Sequence, residues 1–205
     1  PYYFGNLEWA GNTKYSNQEL NELLGISKGD IFDQTILETR LLGSPDSRDV
    51  HSKYLDNGYL FSQVTPIETE IRNDTIDLEI RIYEGQQARV NRVSVVGNRK
   101  TNDHVIMREI RTKPGDLFNR SLIMRSQREL ATLNYFNPEK LDIDVNPDNQ
   151  NGTVDLKYIV EEKSSDQIEL QGGWGAGRMI GTFRVSFNNF SSKNIFKKGA
   201  WTPLP

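Results

Sequence analysis

Residues Gly97–Phe118 read GNRKTNDHVIMREIRTKPGDLF, and residues Gly11–Phe32 read GNTKYSNQELNELLGISKGDIF. The two stretches share a frame without a gap. Gly11 and Gly97, Gly29 and Gly115, Asp30 and Asp116, and Phe32 and Phe118 all stand 86 residues apart. A repeat of this kind marks one structural unit used twice. The unit runs on. Asn57-Gly58-Tyr59-Leu60 answers Leu133-Asn134-Tyr135-Phe136 at a spacing of 76, and Thr75-Ile76-Asp77-Leu78 answers Thr153-Val154-Asp155-Leu156 at 78. The first copy therefore holds about ten extra residues in its middle, expected in and around Gly43–Val50.

Within the first copy, residues 2–10 alternate as a strand, with Tyr3, Leu7 and Trp9 on one face. Ser16 and Glu19 form a capping box for a short helix whose stripe is Leu20, Leu23 and Leu24, and Gly25 stops it. Lys28-Gly29-Asp30 is a turn into a second helix carrying Ile36, Leu37 and Leu41. Gly43-Ser44-Pro45 interrupts that helix, with Ser44 expected as the cap on which it restarts through Val50, Tyr54 and Leu55. Strands at 59–72 and 75–83 follow, joined by Asn73-Asp74. The second copy repeats the order. It predicts a strand at 89–96, a helix capped at Thr101 or Asn102 with Ile106 and Ile110, and a turn at Lys113–Asp116. A helix at 119–134 then carries Ile123, Ser126, Leu130 and Leu133, and strands near 140–146 and 153–161 flank a loop at Pro147–Gly152.

The tail differs in kind. From Gln167 to Ala176, Ile168, Leu170, Gly172, Trp174 and Ala176 alternate with polar or glycine positions. After Gly177-Arg178 the alternation resumes through Phe183, Val185 and Phe187. Two segments of about ten residues with one apolar face fit transmembrane β-strands, at 167–176 and 179–190, and equally an amphipathic hairpin in water.

Composition excludes several classes. Net charge is −3 with 26% charged residues, no footprint for nucleic acid. The absence of cysteine removes disulfides and thiolate metal sites. No catalytic constellation and no cofactor motif is present. His51 and His104 read as solvent-exposed helix residues. Glu161-Glu162 reads as a solvated linker, and Glu68 and Glu70 as a strand's wet face. The glycines of Gly172–Gly177 lack the Lys-Ser/Thr of a phosphate loop. The chain begins inside a strand pattern and ends on Trp201-Thr-Pro-Leu-Pro, which reads as an internal fragment of something longer.

A tandem strand-helix-helix-strand-strand unit resembles the POTRA domain. The copies share Gly-Asn after the first strand, Gly-Asp-(Ile/Leu)-Phe before the second helix, and Thr-(Ile/Val)-Asp-Leu in the last strand. The resemblance implies an α+β fold: POTRA domains at 1–86 and 87–163, each a three-stranded sheet with two helices on one face, then the start of an outer-membrane β-barrel at 164–205. It implies a module in the periplasm and outer membrane of a Gram-negative bacterium, attached to an insertase for β-barrel proteins. Its partners would be unfolded β-barrel clients, accessory lipoproteins and membrane lipid, with no cofactor and no enzymatic role. A related polypeptide exporter or a purely structural scaffold stands as the alternative. In such a module the strand after the second helix is an edge that receives client strands by backbone pairing, here through Val64, Ile67 and Ile71 and through Leu141, Ile143 and Val145. The last domain of the family carries a lipoprotein-binding glutamate in its first helix, matched here by Glu109 between Arg108 and Arg111. The barrel's lipid face would comprise Ile168, Leu170, Trp174, Phe183, Val185 and Phe187.

Overall fold

The computed structural model describes residues 1–44, 46–163, 166–175 and 178–187; of residues 166–169, 174–175, 178–180 and 185–187 it describes the backbone alone. The first copy runs β1 (Tyr3–Ala10), α1 (Asn17–Leu24), α2 (Gln34–Leu42), α3 (Val50–Leu55), β2 (Gln63–Arg72), β3 (Thr75–Tyr83). The second runs β4 (Arg89–Val96), α4 (Asp103–Glu109), α5 (Arg120–Thr132), a 3-10 turn at Pro138–Lys140, β5 (Asp142–Asp148), β6 (Thr153–Ile159). A hairpin of β7 (Asp166–Gly175) and β8 (Arg178–Phe187) follows. The sheets have the orders β1-β3-β2, β4-β6-β5 and β7-β8. By contacts the chain falls into two compact units. The first joins Pro1–Val93 to Arg111–Ser126 and Val145–Leu156, Pro45 aside; the second joins Ser94–Ile110 to Gln127–Asp144 and the described residues from Lys157 on.

In the first unit, β3 lies between β1, which it meets in parallel, and β2, which it meets antiparallel. Ile76, Leu78, Ile80 and Ile82 of β3 are buried at every second position, so one face of the strand meets the helices and the other meets solvent. Against that face pack Leu20 and Leu24 of α1, Leu37 and Leu41 of α2, and Val50 and Tyr54 of α3. Helix α1 has both bonds of the capping box, and Gly25 ends it in the left-handed conformation at φ 59°.

Several expectations are corrected. The alternation of β1 breaks at a register shift between Phe4 and Leu7, which buries Phe4 alongside Trp9 and leaves Tyr3 half-buried. Helix α3 restarts from Asp49, whose carboxylate accepts from Ser52 N at 2.8 Å; Ser44 instead donates its N–H to Asp49 (3.1 Å), and Pro45 lies outside the described residues. A carboxylate at the cap accepts these donors with a full charge, which the Ser44 hydroxyl cannot match. Strand β2 begins at Gln63 rather than 59, because Tyr59 and Ser62 are held in turns by bonds to Tyr54 O and Tyr59 O. Strand β5 extends through Pro147 to Asp148. His51 is half-buried and donates Nε2–H to Ser62 O at 3.2 Å.

In the second copy the apolar stripe of α5 is Ile123, Ser126 and Leu130, all buried, with Leu133 half-buried beyond the helix end. The buried Ser126 hydroxyl is satisfied on both sides: it donates to Leu122 O and accepts from Arg111 N, each at 2.8 Å. Helix α5 is continuous where the first copy is split into α2 and α3 by Gly43–Asp49. On β6, Val154, Leu156 and Tyr158 are buried in the same alternation as β3.

Candidate strand-docking edges and the loops that frame them

Each three-stranded sheet has two edges, and they differ. The outer side of β1 is covered by the turn before α2: Gly29 N donates to Phe4 O (2.8 Å), Phe4 N to Asp30 O (2.8 Å) and Phe32 N to Tyr2 O (2.8 Å). The outer side of β4 is covered in the same way, by Gly115 N to Val90 O (2.7 Å), Val90 N to Asp116 O (2.8 Å) and Phe118 N to Ala88 O (3.0 Å). Both sets are related by the 86-residue spacing. The Gly-Asp-x-Phe motif is therefore an edge cover. Gly29 and Gly115 turn at φ 94° and 95°, and the Asp30 and Asp116 carboxylates accept from Ser27 N and Lys113 N, both at 2.8 Å, to close the turn.

Strands β2 and β5 border one strand each and form the other edges. Along β2, Val64 is buried in the core, Ile67 half-buried and Ile71 56% exposed. Along the second edge, Leu141 is buried and lies one residue before β5, Ile143 is half-buried, and Val145 is exposed. Five of the six expected residues thus lie on these edge strands and Leu141 lies just before one, with burial that ranges from the core to solvent.

The Gly-Asn motif frames the sheet ends. A Cβ on Gly11 or Gly97 would fall against Ile82 O or Val160 O inside van der Waals contact, at φ 84° and 98°. Asn12 and Asn98 each donate back to the loop, at Tyr15 O (2.9 Å) and Thr101 O (3.0 Å). Two glutamates anchor these loops from the far end of each copy. Glu84 accepts from the N–H groups of Thr13 and Lys14 (both 2.8 Å), from the Thr13 hydroxyl and from Tyr54 OH (3.1 Å). Glu162 accepts from the N–H groups of Arg99 (3.1 Å), Lys100 (2.9 Å) and Thr101 (2.6 Å). Burial raises the pKa of each carboxyl, but the donors outweigh it and hold both below the usual glutamate range. Burial, and then the Glu84 carboxylate, push the Tyr54 phenol up. Glu162 is thus no solvated linker, and the sequence reading missed both anchors.

Within the first unit the two copies are bonded directly. Asp56, at the end of α3, accepts from Ser121 N (2.7 Å) and Ser121 Oγ (2.6 Å) at the start of α5, and its carbonyl accepts from Asn119 (2.8 Å). Arg120 donates to Ser52 Oγ (3.0 Å), which donates to Asp49 (2.7 Å). Asp56 is thus a capping group for α5 supplied from the preceding repeat.

Glu109 ends α4 with its side chain 24% exposed and pairs with the neighbouring Arg108 Nε at 3.0 Å; the Arg111 N–H is bound by Ser126. In the hairpin, Leu170 and Phe183 face each other in register and are 78% and 65% exposed. The side chains of Ile168, Trp174, Val185 and Phe187 lie outside the described residues. Among the described residues no group of His, Asp and Glu side chains is placed to hold a metal ion, and no helix is long and apolar enough to cross a membrane.

Comparison with known proteins agrees with this geometry. The POTRA family model, described as a surface antigen variable number repeat, matches residues 2–85 and 88–163. Outer membrane protein assembly factor BamA of Nitratidesulfovibrio vulgaris (Hildenborough) is 32% identical over 160 residues, 78% of this chain and 20% of that protein. BamA of Neisseria meningitidis serogroup B is 26% identical over 204 residues, 97% of this chain and 24% of that protein. The chain thus spans a quarter or less of these relatives, which are named as assembly factors and not as enzymes. The crystal structure of Haemophilus influenzae BamA POTRA3-5 shares the fold, with a TM-score of 0.65 at 22% identity over 78% of this chain and 61% of that one. The repeat read from the sequence, the two sheets of like order and the matched residues together place this chain in the POTRA family.

Proposed function

We propose that this chain is the periplasmic POTRA part of an outer-membrane protein assembly factor, and that it receives unfolded β-barrel precursors as extended strands along β2 and β5. The observation that carries the reading is the asymmetry of the sheets: β1 and β4 are covered by their own Gly-Asp-x-Phe turns, whereas β2 and β5 border one strand each. Backbone pairing at such an edge reads β-character rather than sequence, which suits a module handling many clients. Affinity is expected to be weak, because ordering an extended client offsets much of the gain.

Two further assignments complete the reading. Accessory lipoproteins dock on α4 through Glu109, flanked by Arg108 and Arg111; the exposed Arg108 and half-exposed Glu109 supply a charge pair that a partner could exchange. The β7–β8 hairpin opens the barrel, with Ile168, Leu170, Trp174, Phe183, Val185 and Phe187 toward lipid. Its support is ten residues per strand and the exposed Leu170–Phe183 pair. The compartment follows as periplasm and outer membrane.

The chain has no cysteine, so an introduced one is a unique reporter. Cysteine at Ile67 or Val145, carrying a photocrosslinker, should capture an unfolded β-barrel precursor, and the same probe at Tyr2 on the covered edge should not. Equal capture at all three positions would refute edge docking. In parallel, Glu109→Lys should reduce co-purification of accessory lipoproteins while leaving client capture intact; unchanged co-purification removes Glu109 from that role.

A further inference from the structure

Both docking edges carry a proline, and its place in the register decides what can pair there. Pro66 stands opposite Ile80 in an unbroken run from Gln63↔Tyr83 to Glu68↔Leu78. Having no N–H, a proline is accommodated in a ladder only where its nitrogen points away from the neighbouring strand. Val64, Pro66 and Glu68, which share its parity, therefore direct their backbone groups outward. An added strand would meet the carbonyls of all three but the N–H groups of Val64 and Glu68 only. Beyond Glu68 the register shifts at Thr69, whose hydroxyl donates to Asp77 O at 3.2 Å. Pairing with β3 resumes at Glu70↔Asp77, but the extra residue bends the edge and changes which backbone groups face outward, so a straight added strand cannot follow β2 past it.

The second edge reaches the same condition by other means. Pro147 lies within β5, and Ile143 and Val145 share its parity. The Ile143 N–H is already taken by the Asp142 carboxylate at 2.8 Å. In a regular extended strand the backbone groups of these three residues share one side, and the missing N–H of a proline assigns that side to the outer edge. Each edge thus offers acceptors in excess of donors over a short run.

We propose that these prolines, with the Thr69 bulge and the Asp142 carboxylate, limit each edge to a short client strand that supplies N–H donors, and bar edge-to-edge pairing between copies of the chain. On β2 the permitted run is Val64–Glu68. A long strand gains nothing past that run, so clients are held briefly and released. A second copy, equally poor in outward donors, cannot complete a ladder with the first. This inference rests on the edge-docking reading for its client, but not for its statement about self-pairing.

The test uses the full chain and a graded series of acetylated peptides of alternating Thr and Val, from shorter to longer than Val64–Glu68. For the wild-type chain, affinity should rise with length and level off once the peptide spans that run. Pro66→Val and Pro66→Ala each restore an outward N–H, as does Pro147→Val; each should raise the affinity for long peptides by about 2- to 10-fold, the worth of one net hydrogen bond. The Pro66→Val, Pro147→Val double variant should also self-associate in sedimentation, with thermal melts confirming that it is folded. Affinity that keeps rising with length in the wild-type chain, or folded variants that match it in both assays, would overturn the proposal. Self-association of the variants without peptide binding by any form would overturn the docking reading and leave the guard standing. Neither binding nor self-association overturns both.

Discussion

The loop anchor Glu162 gives the sharpest quantitative test of the fold. Its carboxylate accepts three consecutive backbone donors, from Arg99, Lys100 and Thr101. A hydrogen bond to a charged group is worth about 1.5–3 kcal/mol net, and a buried donor stripped of its partner costs about 1–3 kcal/mol. Arg99 and Lys100 are exposed, so water takes up much of what their N–H groups lose when the carboxylate is removed. Thr101 is 8% exposed, and its N–H makes the shortest of the three bonds. Most of the loss therefore falls on that one donor, and Glu162→Ala should cost about 2–3 kcal/mol. Urea denaturation should show a lower midpoint at unchanged slope. The pH dependence carries an independent sign. Because the folded pKa is depressed, the contribution is present above the ordinary glutamate value and is lost as pH falls through the lower folded value. The wild-type advantage over Glu162→Ala should thus shrink in acid and hold steady at neutral pH and above. A midpoint displaced by less than about 0.5 kcal/mol equivalent, within the range of ordinary surface substitutions, would refute the anchoring role, as would a difference that grows on acidification.

Two further outcomes follow from the same geometry. Gly97→Ala should destabilise by more than Gly115→Ala: both positions have φ near 95°, which costs a side chain about 1–2 kcal/mol, but only at Gly97 does a Cβ also fall against a carbonyl, Val160 O. Equal midpoints in denaturation would discard the close-approach argument. On the proposed reading of the hairpin as the start of a barrel, Leu170→Lys in the full-length protein should impair barrel assembly, read as lost heat-modifiability on a gel, because a lysine at mid-membrane costs roughly 2–4 kcal/mol on the lipid face. Lysine at Thr182 should be tolerated, and like behaviour of the two would overturn the assignment of faces.

The fold was legible in the sequence to the extent that backbone geometry demanded particular residues. Gly11 and Gly97 recur because a carbonyl lies where a Cβ would be; Gly29-Asp30 and Gly115-Asp116 recur because a left-handed turn must close and then cover a strand. Glycine is the residue that meets these demands, so it recurs at one spacing even though the carbonyls over Gly11 and Gly97 belong to Ile82 and Val160. What escaped the reading made no such demand on residue type. The Phe4–Leu7 bulge has no mark in the alternation of β1, and Asp49 took the cap from Ser44 because a charged carboxylate satisfies Ser52 N and Ser44 N together. Glu162 read as a solvated linker and Glu84 was passed over because the backbone donors of both lie 61 to 71 positions back along the chain. The candidate edges were reached only through the family resemblance, and for a deeper reason. An edge that binds through N–H and C=O groups makes almost no demand on side chains, so Val64, Ile67 and Ile71 are chosen by the core and by solvent rather than by a client. Proline is the exception, since it is the one residue whose identity alters the backbone's donors. At Pro66 and Pro147 the sequence therefore displays the restriction placed on each edge, while the edge itself becomes visible only in the strand order.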